Sequence, residues 1–505
     1  RPGKIEWRLK MRITNTMMTN TTMRNVNKSK NNLYTTEQQM SSQKKISKPS
    51  DDPIIAIRAL SLRTSLTEVE QYLKKNVPDA GSWLTLTETS LNNMDGIYKD
   101  IIKYCTQGST DSYETTNRSA IIQSIQQLRD AMYAEGNADS SGRYIFTGYR
   151  TDRALTFQND AEVAGLSYRI NQSFKGSDFT TTKYMKNGVD INKIASIKAS
   201  DTPETQEVYR IRLAYGGCAY DAADAASLPQ ITVDGQAYAG TIQAVSTPEL
   251  EAIMTAGKLA DNTAYYVYDK GELVFSKDSQ QALGNSQIDV SYRKDSFAKG
   301  DIRPEHYFDC EDLTNRQVYS MSSKTGDDSQ DIEYTINFSQ NLKVNSRATD
   351  VLSYNIGRDL DDLVNSLSSV MDIEEKISRL KDMKNSDMYA GQTDELESMI
   401  EAATKELDYA KNNMEALFAK GITQMKGYQS TVNTELSDVG SRKVRLTLTE
   451  TRLTQQQTTF KELKSKNEDV ELEDIAVDFA AAETVYNAAI ATASKTVRQS
   501  LLDYL

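Results

Sequence analysis

The sequence predicts a mainly α chain with a β-rich insertion. Long N- and C-terminal helices would pair antiparallel as a coiled-coil or bundle rod, with the β region as an outboard domain. Three observations lead there. Seven-residue apolar ladders lie near both ends of the chain, the middle switches to alternating Tyr-, Thr-, Val- and Gly-rich texture, and 8 prolines and 24 glycines are few for 505 residues. Ladders so far apart in sequence bury their seams only if the two ends meet.

Residues 1–10 do not share the pattern that follows, and Met11 reads as a natural start, so this stretch is expected to be an extension foreign to the fold. From Val26 apolar residues recur seven apart at Leu33 and Met40, a thin stripe on a helix-compatible stretch. The Lys48-Pro-Ser-Asp-Asp-Pro53 segment breaks that helix, and Asp52 is placed to cap the next one. Beyond it one ladder reads Ile55, Leu62, Val69, Asn76, Trp83, Ser90, Ile97, Tyr104 and the other Ala59, Leu66, Leu73, Ala80, Thr87, Met94, Ile101. Pro78 and Gly81 should bend or interrupt this helix. A second helix, 117–135, carries Ile121, Ile125 and Leu128 on one face and ends at Gly136.

Between 150 and 345 the pattern is that of strands, with a hairpin about Asp269-Lys270-Gly271 and alternating runs at 288–292 and 332–338. Helix returns near Arg358, and Met425, Val432, Val439, Leu446, Leu453 and Phe460 rise in steps of seven. Gln429, Lys443, Glu450 and Gln457 make the other side of that seam polar, which suggests register control or a wider bundle. After a polar break at 464–474, Ile475, Phe479, Ala482, Tyr486, Ala489 and Ala493 repeat at three and four. The expected division is therefore 1–10, an extension; 11–52, an N-terminal assembly helix; 53–150 and 346–464, the two halves of a helical rod; 151–345, a β-rich outer insertion of one or two modules; and 465–505, a C-terminal assembly helix.

Composition narrows the function classes. A net charge of −12 argues against nucleic acid as a main partner, although residues 1–48 hold eleven basic residues against Glu6 and Glu37. No run of about 18 apolar residues suggests a membrane span, and no cleavable leader is evident at the start. Cys105, Cys218 and Cys310 form neither a disulfide framework nor a zinc spacing.

Four short segments carry a family resemblance. Met11-Arg-Ile-Thr-Asn-Thr-Met-Met18 is similar to the opening of hook-associated proteins of the flagellin superfamily. Met40-Ser-Ser-Gln-Lys-Lys-Ile-Ser-Lys-Pro-Ser-Asp-Asp-Pro53 resembles the superfamily's LSSGKRINKPSDDP turn, with Gln43 where that pattern has glycine and Ser47 where it has asparagine. Gly142-Arg-Tyr-Ile-Phe-Thr-Gly-Tyr149 resembles the GRYLFAGY element of the hook-associated members, and Leu501 to Leu505 resembles their LFNYL-type ending. The resemblance covers 11–157 and 345–505. It implies a structural, non-enzymatic protein of the bacterial flagellum, exported unfolded through the flagellar type III apparatus with an export chaperone. There it would join the hook, through hook-associated protein 1, to flagellin, and self-associate in a ring or helical layer. A filament-forming flagellin, or an adhesin displaying its β insertion, is the alternative; Tyr265, Tyr266 and Tyr268 motivate the latter.

A terminal helix with so thin a seam is marginal alone and is ordered by neighbouring copies that cover it. Val26, Leu33, Met40, Phe479, Tyr486, Leu501, Leu502, Tyr504 and Leu505 are the expected assembly residues, the alternative being that they close an intramolecular core. Leu62, Val69, Leu73, Trp83, Ile97, Ile101, Val432, Val439, Leu446, Leu453 and Phe460 are the expected rod-core seam. No catalytic, cofactor or metal residue is expected. The single histidine, His306, rules out an HExxH motif; a site of His306, Asp309 and Cys310 is weighed against a satisfied core histidine, and the core reading is preferred. No phosphate loop or nucleophile elbow occurs, and Asp361 and Asp362 are read as solvated helix charges.

Overall fold

Helix α1 (Asn15–Ser42) starts where the Thr14 hydroxyl accepts a hydrogen bond from the Met17 amide at 3.3 Å, satisfying one of the free donors of a helix start. The computed structural model describes residues 14–109, 115–186, 188–192, 194, 203–321 and 330–502, so the expected extension 1–10 lies outside it. The chain falls into two compact units, one of Arg1–Pro78, Thr335–Gln340 and Leu446–Leu505, the other of Asp79–Tyr334 and Asn341–Arg445.

In the first unit α1 is followed by α2 (Pro53–Gln71), which Asp52 caps by accepting from the Ile54 and Ile55 amides. A π-turn, Tyr72–Asn76, then leads without a break into α3 (Val77–Gly108). Pro78 explains the turn. Its ring would clash with the carbonyl four residues back, and widening to i→i+5 bonds, such as Val77 N–H to the Tyr72 carbonyl, relieves that clash without ending the helix. The proline therefore re-phases the helix instead of interrupting it. The last helices, α10 (Thr393–Glu468) and α11 (Leu472–Leu502), are separated by three residues, a shorter break than 464–474.

In the second unit α3, α4 (Thr115–Gly136), α9 (Ile356–Lys384) and α10 pack side by side. Arg118 pairs with Glu374 at 2.6 Å and Arg129 with Asp361 at 2.7 Å, so α4 and α9 are antiparallel. Asp95 accepts from Gln429 at 2.8 Å and Glu88 meets Lys443 at 2.6 Å, so α3 and α10 are too. The π-turn advances one ladder of α3 by a residue: Val77, Leu84, Leu91, Tyr98 and Cys105 are buried alongside Ala80, Thr87, Met94 and Ile101. Ile97 is accordingly only half-buried, a correction to the uninterrupted heptad, and Tyr98 takes the interior place. Trp83 stays inside, with Arg143 stacked on its ring at 5.1 Å. On α10 Phe418, Met425, Val432 and Val439 are buried in steps of seven.

The middle of the chain builds two sheets. The six-stranded one runs β13 (Gln317–Tyr319), β12 (Asp309–Asp312), β3 (Tyr168–Lys175), β11 (Gln287–Lys294), β6 (Gln230–Val233), β7 (Gln236–Ala237). The five-stranded one runs β4 (Thr180–Lys186), β5 (Glu204–Arg212), β10 (Glu272–Phe275), β9 (Thr263–Val267), β8 (Thr241–Val245). β9 and β10 are the expected hairpin, and Gly271 supplies its positive φ of 61° while its α-carbon lies too close to the Tyr215 carbonyl for a side chain. β8 and β9 are parallel, joined through α6 (Thr247–Ala256), whose Leu250 and Met254 pack on Val208, Tyr265, Val267 and Val274. Two hairpins, β1 (Asp139–Ser140) with β2 (Arg143–Tyr144) and β14 (Glu333–Asn337) with β15 (Gln340–Lys343), and three short helices, α5 (Asp160–Val163), α7 (Lys277–Leu283) and α8 (Ala348–Val351), complete the described elements used here.

Candidate functional site: the terminal helix pair

The turn after α1 is held by two chain segments more than 400 residues apart in sequence, which exchange backbone hydrogen bonds. Gln43 ends α1 in the left-handed region at φ 56°, turning its carbonyl to accept from Val470 N–H at 3.1 Å, while Lys45 N–H donates to the Glu468 carbonyl at 2.7 Å. Side chains reinforce the crossing. Arg63 grips Glu468 through two bonds of 2.7 and 2.6 Å, Lys44 lies 3.7 Å from the same carboxylate, and Lys44 also pairs with Asp469. The Arg63 bond above all holds the Glu468 carboxyl below the usual range, and Lys44 does the same for Asp469. Asp51 accepts from the Ser47 and Lys48 amides and closes the loop that leads into α2.

From this clamp α1 and α11 run antiparallel along each other. Thr19, Thr22, Val26, Ser29, Leu33 and Thr36 face the seam from α1, and Ile475, Phe479, Ala482, Tyr486, Ala489 and Ala493 from α11. Among the described side chains of the seam only Ile475 is fully buried; Val26, Leu33, Phe479 and Tyr486 are half-buried, and Met40 is 38 % exposed. More than half of these seam residues are hydroxyl or alanine, so the seam contributes little apolar area per turn. Leu501 and Leu502 form the last turn of α11, while Tyr504 and Leu505 lie outside the described residues. Below the clamp Val69, Leu446 and Leu453 are buried, Leu62, Leu73 and Phe460 half-buried, and Gln457 donates to Glu70 at 3.2 Å. The polar side of the α10 seam thus reaches acids on α2 and α3 through Gln457, Lys443 and Gln429, whereas Glu450 faces solvent.

The Gly142 to Tyr149 segment forms the β1–β2 turn, with Ser141 and Gly142 at φ 55° and 80°. It drives Ile145 and Phe146 into the core, and the Phe146 carbonyl accepts from Ala348 N–H at 2.7 Å.

Residues 13–151, which contain α1 to α4 and this hairpin, match the bacterial flagellin N-terminal helical region. Flagellar hook-associated protein 3 of Escherichia coli (strain K12) is 29 % identical over 168 residues, 33 % of this chain and 53 % of that one. Its counterpart in Salmonella typhimurium is 28 % identical over 145 residues, 28 % and 45 % of the two chains, and the flagellin of Clostridium tyrobutyricum is 27 % identical over 179 residues, 34 % and 45 %. The alignments thus span about half the length of the curated relatives. Among solved structures, flagellar hook associated protein-3 from Legionella pneumophila aligns over 80 % of this chain and 97 % of its own at a TM-score of 0.32 and 12 % identity.

The remaining candidates serve the packing of the chain. His306 is buried, bonded through Nε2 to the Ala154 carbonyl at 3.1 Å, and burial pushes its pKa down to about 3, with Arg150, Arg303 and Arg153 adding to the effect. Asp309 bonds Met321 N–H and the Ser320 hydroxyl, and burial pushes the Cys310 thiol upward. Among the described residues no group of three or more His, Cys, Asp or Glu has the geometry to hold a metal. Asp362 is not the solvated charge expected, whereas the Asp361 side chain stays 48 % exposed. Burial favours the neutral form of Asp362, but Arg210 and Arg212, each at 2.9 Å, and Arg358 outweigh it and hold the carboxyl low, while Asp361 pairs with Arg129. Arg210 also reaches Glu272 at 2.7 Å and Arg212 reaches Asp359, so this charge cluster ties β5 and β10 to α9. The sequence offered no sign of it, because its members come from three separate segments. Tyr265 and Tyr266 are core residues of the five-stranded sheet, not a displayed aromatic patch.

Proposed function

We propose that the chain is a structural junction protein of the bacterial flagellum, joining the hook, through hook-associated protein 1, to the flagellin filament outside the cell. One observation supports this most: the terminal helices pair through a seam in which, among the described side chains, Ile475 alone is fully buried, yet the pair is clamped at its base by Arg63, Lys44, Glu468 and Asp469. Such a pair is located firmly and stabilised weakly. That suits an element that passes an export channel unfolded, with a chaperone covering it, and is completed by neighbouring subunits. Val26, Leu33, Phe479 and Tyr486 close the seam within the chain, and in this reading neighbouring copies cover its half-exposed edges together with Met40 and the Leu501–Leu505 end; no catalysis is assigned. The likeness to a flagellin keeps a second reading, a subunit of the filament itself. Deleting the gene separates them. A junction protein leaves hooks in place and flagellin monomer shed into the medium; loss of filament with no shed flagellin would overturn the junction reading.

A further inference from the structure

Between the five-stranded sheet and helices α9 and α10, inside one compact unit, lies a cleft of about 950 Å³. That volume is in the range of small-molecule sites. Strand register turns Tyr184 of β4, Arg210 of β5 and Glu272 of β10 to one side of the sheet. Tyr184 stands opposite Gln206 and Glu272 opposite Arg212, each an even number of residues from Arg210. The helices supply Asn365 and Ser369 from α9 and Tyr409 and Asn413 from α10, all of them exposed.

The charges of this cleft are largely spent on one another. Arg210 bonds Glu272 at 2.7 Å and Asp362 at 2.9 Å, Asp361 pairs with Arg129, Glu406 pairs with Lys376, and Arg358 donates to the Lys270 carbonyl. The neutral polar groups are not. The side chains of Tyr184, Asn365, Ser369, Tyr409 and Asn413 make no hydrogen bond to a described residue. Each of them both donates and accepts, as the hydroxyl of a sugar does. Tyr184 is the anchor. It is only 8 % exposed, the Lys270 ammonium lies 5.4 Å from its ring centre, and it lines the cleft with its hydroxyl unbonded. The Tyr409 ring, 42 % exposed, offers an apolar surface to the C–H groups of a sugar ring.

We propose that this cleft binds a neutral saccharide, whose hydroxyls bond Tyr184, Asn365 and Asn413 while one ring packs on Tyr409. An ionised ligand gains less, because Lys270 and Glu251 set both signs of charge at the same opening. The site is independent of the junction role.

The full-length chain tests this on an array carrying neutral, sialylated and uronic-acid-bearing glycans, with the strongest neutral ligand then titrated by calorimetry. Neutral glycans are expected to bind. Tyr184→Phe, Asn365→Ala and Asn413→Ala should each weaken binding about 2- to 10-fold, the effect of one lost hydrogen bond. Tyr409→Ala should weaken it as well, and Tyr220→Ala, outside the cleft, should leave it unchanged. Asn365, Tyr409 and Asn413 are exposed, so these variants decide the matter even if Tyr184→Phe fails to fold. A silent array, binding confined to acidic glycans, or a titration that Asn365→Ala, Tyr409→Ala and Asn413→Ala all leave unchanged overturns the proposal.

Discussion

Gln43 shows how one side chain can be wrong for its backbone. The turn needs a left-handed residue there so that its carbonyl reaches Val470 N–H. That conformation costs an L-residue about 1–2 kcal/mol. Gln43→Gly removes the strain but gives back about 0.4–1 kcal/mol through a freer unfolded chain. A net gain of about 0.5–1 kcal/mol in the opening energy of the clamp amides Lys45 and Val470 is expected by hydrogen exchange; slower protection in the wild type would contradict it. Glu468 governs pH response at the same place. Its folded pKa lies below the ordinary 4.5, so its contribution is complete above that value and is lost as pH falls through the depressed one. Clamp stability should therefore drop below about pH 4.5, and Glu468→Gln should weaken the clamp at neutral pH and flatten the dependence. His306 acts over a higher window. It stays neutral when folded and takes up a proton when unfolded, so it withdraws stability as pH falls from 6.5 toward about 3. Protection of the amides around Ala154 should decline across that window in the wild type and less in His306→Gln, which keeps a donor for the Ala154 carbonyl.

At the scale of the element, α3 is where periodicity and structure part. The sequence ladder through Trp83, Ser90 and Ile97 treats the helix as continuous, and up to Val69 that frame holds. The π-turn at Tyr72–Asn76 then adds one residue: Trp83 and Ser90 stay buried, Leu84 and Leu91 join them in the interior, and Tyr98 takes the place of Ile97. Pro78 signalled a disturbance but not its form, because a kink, a break and a π-turn all answer the same steric conflict. The two frames give opposite expectations for one pair of substitutions. Leu91→Ala should cost about 2–5 kcal/mol as a buried leucine, and Ile97→Ala less than about 2, by denaturant unfolding; equal costs would favour the unshifted ladder. Helix α10 had no such interruption, and Met425 to Leu453 lie as the steps of seven placed them. Strands were legible one at a time, as at 288–292, but not the parallel β8–β9 pair, since alternation marks a buried face and not a neighbour. The Arg210–Asp362–Arg212 cluster was invisible for a related reason: its charges are local in space and remote in sequence.

Across the whole molecule, burial is distributed very unevenly, and the distribution follows the proposed role. Helix α10 buries Phe418, Met425, Val432 and Val439 completely, with partners on both α3 and α9, whereas α1 has no fully buried residue among its described side chains. Burying a leucine-sized side chain contributes about 1.5–3 kcal/mol, and half-burying Val26 and Leu33 about half as much each. Ordering a backbone residue costs about 1–2 kcal/mol before its helical hydrogen bonds are counted, so the 28 residues of α1 have little to spare. The stability of the pair is therefore largely that of isolated helices plus the clamp. Hydrogen exchange on the unassembled chain should find the amides of α1 and α11 exchanging at least a hundredfold faster than those of 418–446 on α10, with protection rising toward the clamp. On assembly the α1 and α11 amides should gain protection while the α10 amides hardly change. Equal protection of the terminal and inner helices in the free chain would mean that the seam is sufficient by itself, and the need for neighbouring copies would fall.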